Sequence, residues 1–117
     1  MEELTKTEEP IMQALWELKQ GFVKTILDYL PATPKPPYNT VSSVVRILVR
    51  KGFVGFKAYG KTHEYFPLVS RAQYRDDRLK QLLTYFDNSS SALAAHLVEE
   101  VMTRKELQQL RKLLDEA

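Results

Sequence analysis

Asn39, Thr40, Ser42, Ser43, Arg46 and Arg50 share one side of a helical repeat whose other side is Val41, Val44, Val45 and Leu48. Short hydroxyl and amide side chains let a helix approach a duplex closely. They offer donors and acceptors to base edges, while guanidinium groups meet guanine edges and phosphates. Hydroxyl residues are weak helix formers, and a plain solvated helix face would carry longer charged side chains. Thr40, Ser42, Ser43 and Arg46 are therefore the candidates for base-edge and nearby phosphate contacts, with Asn39 on the same face. Tyr38, Arg50, Lys57 and Lys61 are the candidates for the DNA backbone. No acidic residue falls between Asp28 and Glu64, whereas Lys35, Arg46, Arg50, Lys51, Lys57 and Lys61 all do. The net charge of +2, from 17 basic and 15 acidic residues, hides this local excess. Such clustering is the electrostatic footprint of a phosphate-binding surface.

Catalysis has little to work with. His63 and His96 are the only histidines, and the adjacent pairs Asp76-Asp77 and Glu99-Glu100 point to different sides of a helix and do not converge. A glycine-rich phosphate loop is absent, and zero cysteines exclude disulfide scaffolds, thiol catalysis, iron–sulfur clusters and zinc fingers. The chain is read as a non-enzyme that calls for no cofactor and no metal. No apolar run approaches the roughly 18 residues of a membrane helix. Met1-Glu2-Glu3 lacks the basic region and apolar stretch of a signal peptide. These features make a cytoplasmic protein without membrane insertion the expectation. With 117 residues, 44% hydrophobic and 27% charged, the chain is long enough for one compact domain or two small cooperating ones.

The elements that must position these residues are legible from period and punctuation. Thr7 as cap, Glu8 and Glu9 in the first turn and Pro10 open a first helix with an Ile11, Met12, Leu15, Trp16 and Leu18 stripe, ended by Gly21. Phe22, Val23, Ile26, Leu27 and Leu30 make a second, stopped by Pro31. The segment Pro31-Ala32-Thr33-Pro34-Lys35-Pro36-Pro37 is a stiff turn. The polar-faced third helix starts near Tyr38 or Asn39 and runs to Lys51, with Gly52 as its stop. Two aromatic-rich strands around Gly60-Lys61 read as a hairpin that Pro67 ends. Capping boxes Ser70/Gln73 and Thr103/Glu106, with Asn88-Ser89-Ser90-Ser91 between them, set out three further helices. The middle one is expected to carry Leu93, Ala94, Leu97, Val98 and Val101.

This order is that of a winged helix-turn-helix, mostly α with a small β-hairpin wing. It predicts a DNA-binding domain over residues 1–70 and an α-helical dimerisation domain over 71–117. The tail's Leu79, Leu82, Leu83, Leu97, Val98, Val101, Leu107 and Leu110 exceed what so short a segment can bury alone, and a second copy would cover them. A homodimer places two reading heads on one duplex, which suits a palindromic operator. The competing reading of the same pattern is a winged-helix module for protein–protein interaction without DNA.

Two stretches carry a resemblance to a known family. Thr7-Glu8-Glu9-Pro10-Ile11-Met12-Gln13-Ala14-Leu15-Trp16 is similar to the opening acidic, Trp-containing helix of the BlaI/MecI family of penicillinase repressors. Asn39-Thr40-Val41-Ser42-Ser43-Val44-Val45-Arg46-Ile47-Leu48-Val49-Arg50-Lys51-Gly52-Phe53-Val54 resembles its recognition helix and the run into the wing, and Gly60-Lys61 with Glu64-Tyr65-Phe66 fits the wing. The resemblance implies a homodimeric repressor of β-lactam-resistance or related stress genes. It also implies a membrane-bound sensor protease as a partner that triggers cleavage in the dimerisation region. Where family members often carry an Asn-Phe cleavage pair, this chain reads Ala95-His96. The family's copper-responsive branch uses a C-terminal cysteine cluster, which this chain lacks.

Overall fold

A computed structural model describes all residues, Met1–Ala117. The chain is mostly helical with one two-stranded antiparallel hairpin, arranged as a winged helix followed by further helices. Two compact units divide it, Met1–Asp76 and Asp77–Ala117.

In the first unit, α1 (Glu8–Leu18), α2 (Val23–Tyr29) and α3 (Tyr38–Arg50) pack around fully buried Met12, Leu15, Ile26, Val41, Val45 and Leu48. The cap of α1 corrects the sequence reading. Thr7 has helical dihedrals and makes no capping bond. The box is formed by Thr5 and Glu8 instead: the Glu8 amide donates to Thr5 Oγ1 at 3.1 Å and the Thr5 amide donates to Glu8 Oε1 at 2.9 Å. Glu8 is thereby buried at 3% exposure, where Lys51 Nζ meets its carboxylate at 2.8 Å. Nor does Gly21 end α1. Lys19 does, in the left-handed region at φ 72°, its amide donating to the Leu15 carbonyl. Gly21 instead pairs with Tyr65: each amide donates to the other's carbonyl, at 2.9 and 2.8 Å. That bridge ties the α1–α2 connection to the hairpin.

The end of α3 is a Schellman motif. The Gly52 amide donates to the Val49 carbonyl and the Phe53 amide to the Leu48 carbonyl, while Gly52 takes φ 82°. Phe53, just past the motif, is buried in the core and leads directly into the hairpin. Strands β1 (Val54–Tyr59) and β2 (Thr62–Pro67) pair in the register Phe56↔Tyr65 and Ala58↔His63, closed by Gly60 at φ 63° and Lys61. Alternation puts Phe56, His63 and Tyr65 on one face of this ribbon and Lys57, Tyr59 and Glu64 on the other. A methyl group at Gly55 would come within 2.8 Å of the Phe66 ring on the paired strand, so the ring would have to shift to admit one.

Helix α4 (Arg71–Leu83) opens with the expected capping box, Ser70 and Gln73 bonding reciprocally at 2.8 and 3.0 Å. Its first turns belong to the core of the first unit. Tyr74 is buried beside Trp16 and Phe53, and its hydroxyl accepts from the Leu4 amide at 2.8 Å.

The second unit holds the end of α4, a 3₁₀ turn (Thr84–Phe86), α5 (Ser90–His96), a π-helical turn (Leu97–Val101) and α6 (Arg104–Glu116). Asp87 and Asn88, both left-handed, reverse the chain, and Ser89 Oγ caps α5 through the Ala92 amide. The helix expected through Leu93–Val101 is shorter than its apolar pattern: α5 stops at His96. The turn after it closes through a five-residue bond from the Met102 amide to the Leu97 carbonyl. Thr103 and Glu106 form the second expected capping box, and the two backbone and side-chain bonds to Thr103 hold the Glu106 carboxyl below its ordinary range. No helix is long and apolar enough to cross a membrane.

Candidate nucleic-acid interface

Five of the sequence-predicted residues on α3, Tyr38, Ser42, Ser43, Arg46 and Arg50, converge with the hairpin. The residues Tyr38, Ser42 and Arg46 recur every fourth position and face one groove; Ser43, Arg46 and Arg50 recur at three and four and face another. Arg46 lines both. The larger groove, about 530 Å³, has Phe56, His63 and Tyr65 as its hairpin wall. There the Phe56 and His63 rings stack at 4.4 Å and 9°, and Tyr65 meets His63 edge-on at 6.1 Å. The smaller, about 340 Å³, is bounded by Lys24 of α2, by Lys61 at the hairpin tip and by Thr62.

The hydrophobic half of α3 is what aims this surface. With Val41, Val45 and Leu48 fully buried, rotation of the helix would expose them, so the polar stripe has one available direction. Arg46 is exposed, and its Nε donates to the Ser42 carbonyl across a long 3.4 Å. Its guanidinium is thus largely uncommitted within the chain. Burial pushes the Tyr65 phenol above its ordinary range, with Arg46 drawing it down and Tyr38 pushing it up.

Not every predicted residue joins the cluster. Thr40 lines a different, apolar recess with Pro10, Ile11 and Leu30. Asn39 is exposed on the first turn of α3 and borders neither groove. Lys57 lies on the opposite face of the hairpin, its ammonium 5.3 Å from the Tyr59 ring centre. The structure also divides the central basic excess. Lys35 donates to the Leu27 and Asp28 carbonyls at the end of α2. Lys51 is taken by Glu8 and, at 3.6 Å, Glu2. Arg46, Arg50, Lys57 and Lys61 remain without an acidic partner. Lys24, Thr62, His63 and Tyr65 were not singled out from sequence. They come from segments whose only legible signals were helical or strand-like, and only the folded register joins them to α3.

In the second unit, Leu79, Leu82, Leu97, Val98 and Val101 are exposed, and Leu83, Leu107 and Leu110 are half-buried. Tyr85, Leu113 and Leu114 add to this surface at 85%, 64% and 66% exposure. Leu93 is the one hydrophobic side chain of the unit that is buried.

The profile of the family described as "Penicillinase repressor" matches residues 4–116. The methicillin resistance regulatory protein MecI of Staphylococcus aureus (strain N315) is 22% identical over 115 residues, covering 97% of this chain and 94% of that protein. An uncharacterized 16.5 kDa protein of Latilactobacillus sakei is 23% identical over 114 residues, 96% of this chain and 78% of its own. Among solved structures, that of TrmBL2, an archaeal chromatin protein, aligns with a TM-score of 0.46 and 21% identity, over 88% of this chain and 40% of that one.

Proposed function

The chain belongs to the penicillinase repressor family, and from that premise we propose that it is a sequence-specific transcriptional repressor, a regulator rather than an enzyme. It binds a palindromic operator in double-stranded DNA as a homodimer and controls β-lactam-resistance or related stress genes. The observation that carries this reading is the convergence at Arg46: a polar helical stripe and a hairpin wall meet around an exposed guanidinium with almost no commitment inside the chain. Helix α3 would enter the major groove with Ser42, Ser43 and Arg46 toward base edges and Asn39 and Thr40 at its leading end. Tyr38, Arg50, Lys57 and Lys61 would lie along the flanking phosphates.

Dimerisation through residues 71–117 is supported by the second unit's surface. One buried hydrophobic side chain cannot stabilise a helical unit, whereas Leu79, Leu82, Leu97, Val98, Val101, Leu107 and Leu110 on two copies can cover each other. The winged unit, residues 1–70 with the first turns of α4, would act as the reading head. A membrane-bound sensor protease completes the proposed circuit as the carrier of the inducing signal. Selection from a pool of randomised duplexes tests the reading. An enriched inverted repeat, with half-sites whole helical turns apart, is the expected result; no enrichment, or a single unrepeated half-site, would contradict it.

A further inference from the structure

The smaller groove contains a group that neither the fold nor the wing contacts account for. Tyr65 is 6% exposed, yet no hydrogen bond within the chain satisfies its hydroxyl, and it lines a cavity of about 340 Å³. The hydroxyl itself opens onto the groove, so it is free to donate to whatever enters there. The other walls describe that occupant. Lys24 comes from α2, Tyr38 and Arg46 from α3, Lys61 from the hairpin tip and Thr62 from β2. No carboxylate lines the cavity. Three cations and four hydroxyl donors, Ser42 of α3 among them, converge from four segments to form an anion cradle, with the Phe22, Val23 and Tyr65 rings and chains as its floor.

We propose that Lys24, Tyr38, Lys61, Thr62 and the Tyr65 hydroxyl together hold one phosphate of the DNA backbone where α2, α3 and the hairpin meet, with Arg46 passing beside it toward the base edges. The inference rests on the DNA-binding reading and deepens it by assigning Lys24 and Tyr65, which that reading does not use. Its physical consequence is orientation. A phosphate gripped from three elements fixes the angle at which α3 enters the groove, and the bond from Tyr65 adds a neutral donor from the floor to the cations at the rim.

Two variants of the full chain separate charge from hydroxyl. Binding to a mixed-sequence duplex a few helical turns long, followed by fluorescence anisotropy over a salt series, is the assay. Lys24→Gln should make the slope of log affinity against log salt shallower by about one unit, because one phosphate-bound cation is lost. Tyr65→Phe should lower affinity about tenfold with the slope unchanged, since a hydrogen bond to a charged group is lost but no cation is. It keeps the ring that packs against His63 and Phe56. If Tyr65→Phe fails to fold, the exposed Lys24→Gln carries the test alone. Wild-type affinity and slope in both variants, while Arg46→Ala still loses binding, would overturn the cradle and leave the DNA reading standing. A wild-type chain without salt-dependent duplex binding would overturn both. Saturable binding of inorganic phosphate at Tyr65, followed by its ring resonances, with duplex affinity unaltered by the two substitutions, would reassign the cavity to a free anion and also overturn the proposal.

Discussion

Replacing Arg46 with alanine should weaken operator binding strongly while leaving the fold almost untouched, and the structure sets both magnitudes. The side chain is exposed, and its one hydrogen bond, to the Ser42 carbonyl, is 3.4 Å long. Removing it should change stability by no more than about 0.5 kcal/mol, the range of ordinary surface substitutions. In thermal unfolding that corresponds to a shift of at most about 3 °C for a domain of this size. On DNA the same side chain lines both grooves between α3 and the hairpin. Losing a bidentate base contact costs about 1–3 kcal/mol, a factor of roughly 5 to 150 in Kd. Arg46→Lys should recover only part of that loss, because the ammonium keeps the charge and lacks the planar fork. Titrations of the selected duplex by anisotropy, paired with thermal unfolding of the same preparations, read both quantities. Undiminished operator affinity in Arg46→Ala would remove this residue from the site. A large fall in Tm would show that Arg46 supports the fold, and the separation of reading face from core would be wrong.

Other perturbations follow the same reasoning. Lys61→Ala should reduce affinity for all duplexes about equally and flatten the salt slope by about one unit; an effect confined to one base position would show that the hairpin tip reads sequence. Leu107→Asp with Leu110→Asp should convert a sedimenting dimer to a monomer and lose about 10² to 10⁴ in operator affinity, the avidity of two tethered heads. A monomeric wild-type chain at operator-binding concentrations would sink that account. For the Glu8–Lys51 pair, burial pushes the Glu8 carboxyl up, but Lys51 and Thr5 outweigh it and hold it below its ordinary value. The hydrogen bond to Glu8 in turn raises Lys51. Stability from Glu8 is therefore complete above its unfolded-state value and is lost as pH falls through the depressed one. The contribution from Lys51 is present below its unfolded-state value and is lost as pH rises through the raised one. Glu8→Gln should cost about 1–3 kcal/mol at neutral pH and flatten the acid limb of stability measured by chemical denaturation; an unchanged acid limb would mean that another carboxylate governs it.

Helix α3 was legible because three independent signals agree: the apolar repeat of Val41, Val44, Val45 and Leu48, the proline stop before Tyr38 and the glycine after Lys51. The hairpin was equally plain, since Gly60-Lys61 and the flanking aromatics fix both turn and register. Local capping boxes at Ser70 and Thr103 were read correctly because every partner lies within three residues. Thr7 loses the cap of α1 to Thr5, whose box with Glu8 has the same three-residue spacing and was legible in principle. The other errors fall where a distant partner decides. Gly21 is released from ending α1 because β2 claims its amide and carbonyl through Tyr65. Leu97 to Val101 keep a helical apolar spacing, yet the chain widens there into a π turn; no local residue accounts for it. Tyr74 reads as part of the helical tail, and only its contacts with Leu4, Trp16 and Phe53 put it in the winged unit's core. The same limit governs the site. Periodicity finds the polar face of α3, but it takes the strand register to bring Tyr65 and His63 to that face and to turn Lys57 away from it.

The central claim, that the α3 and hairpin surface meets DNA phosphates, is tested most directly by the affinity of the full chain for its selected duplex across a salt series. The account predicts a straight fall of log affinity with log salt, with a slope of roughly −0.9 for each phosphate neutralised and several phosphates engaged. An affinity that stays flat as salt rises, or binding that appears only with a protein partner and never with duplex, would contradict it and leave the winged fold as a protein-interaction module.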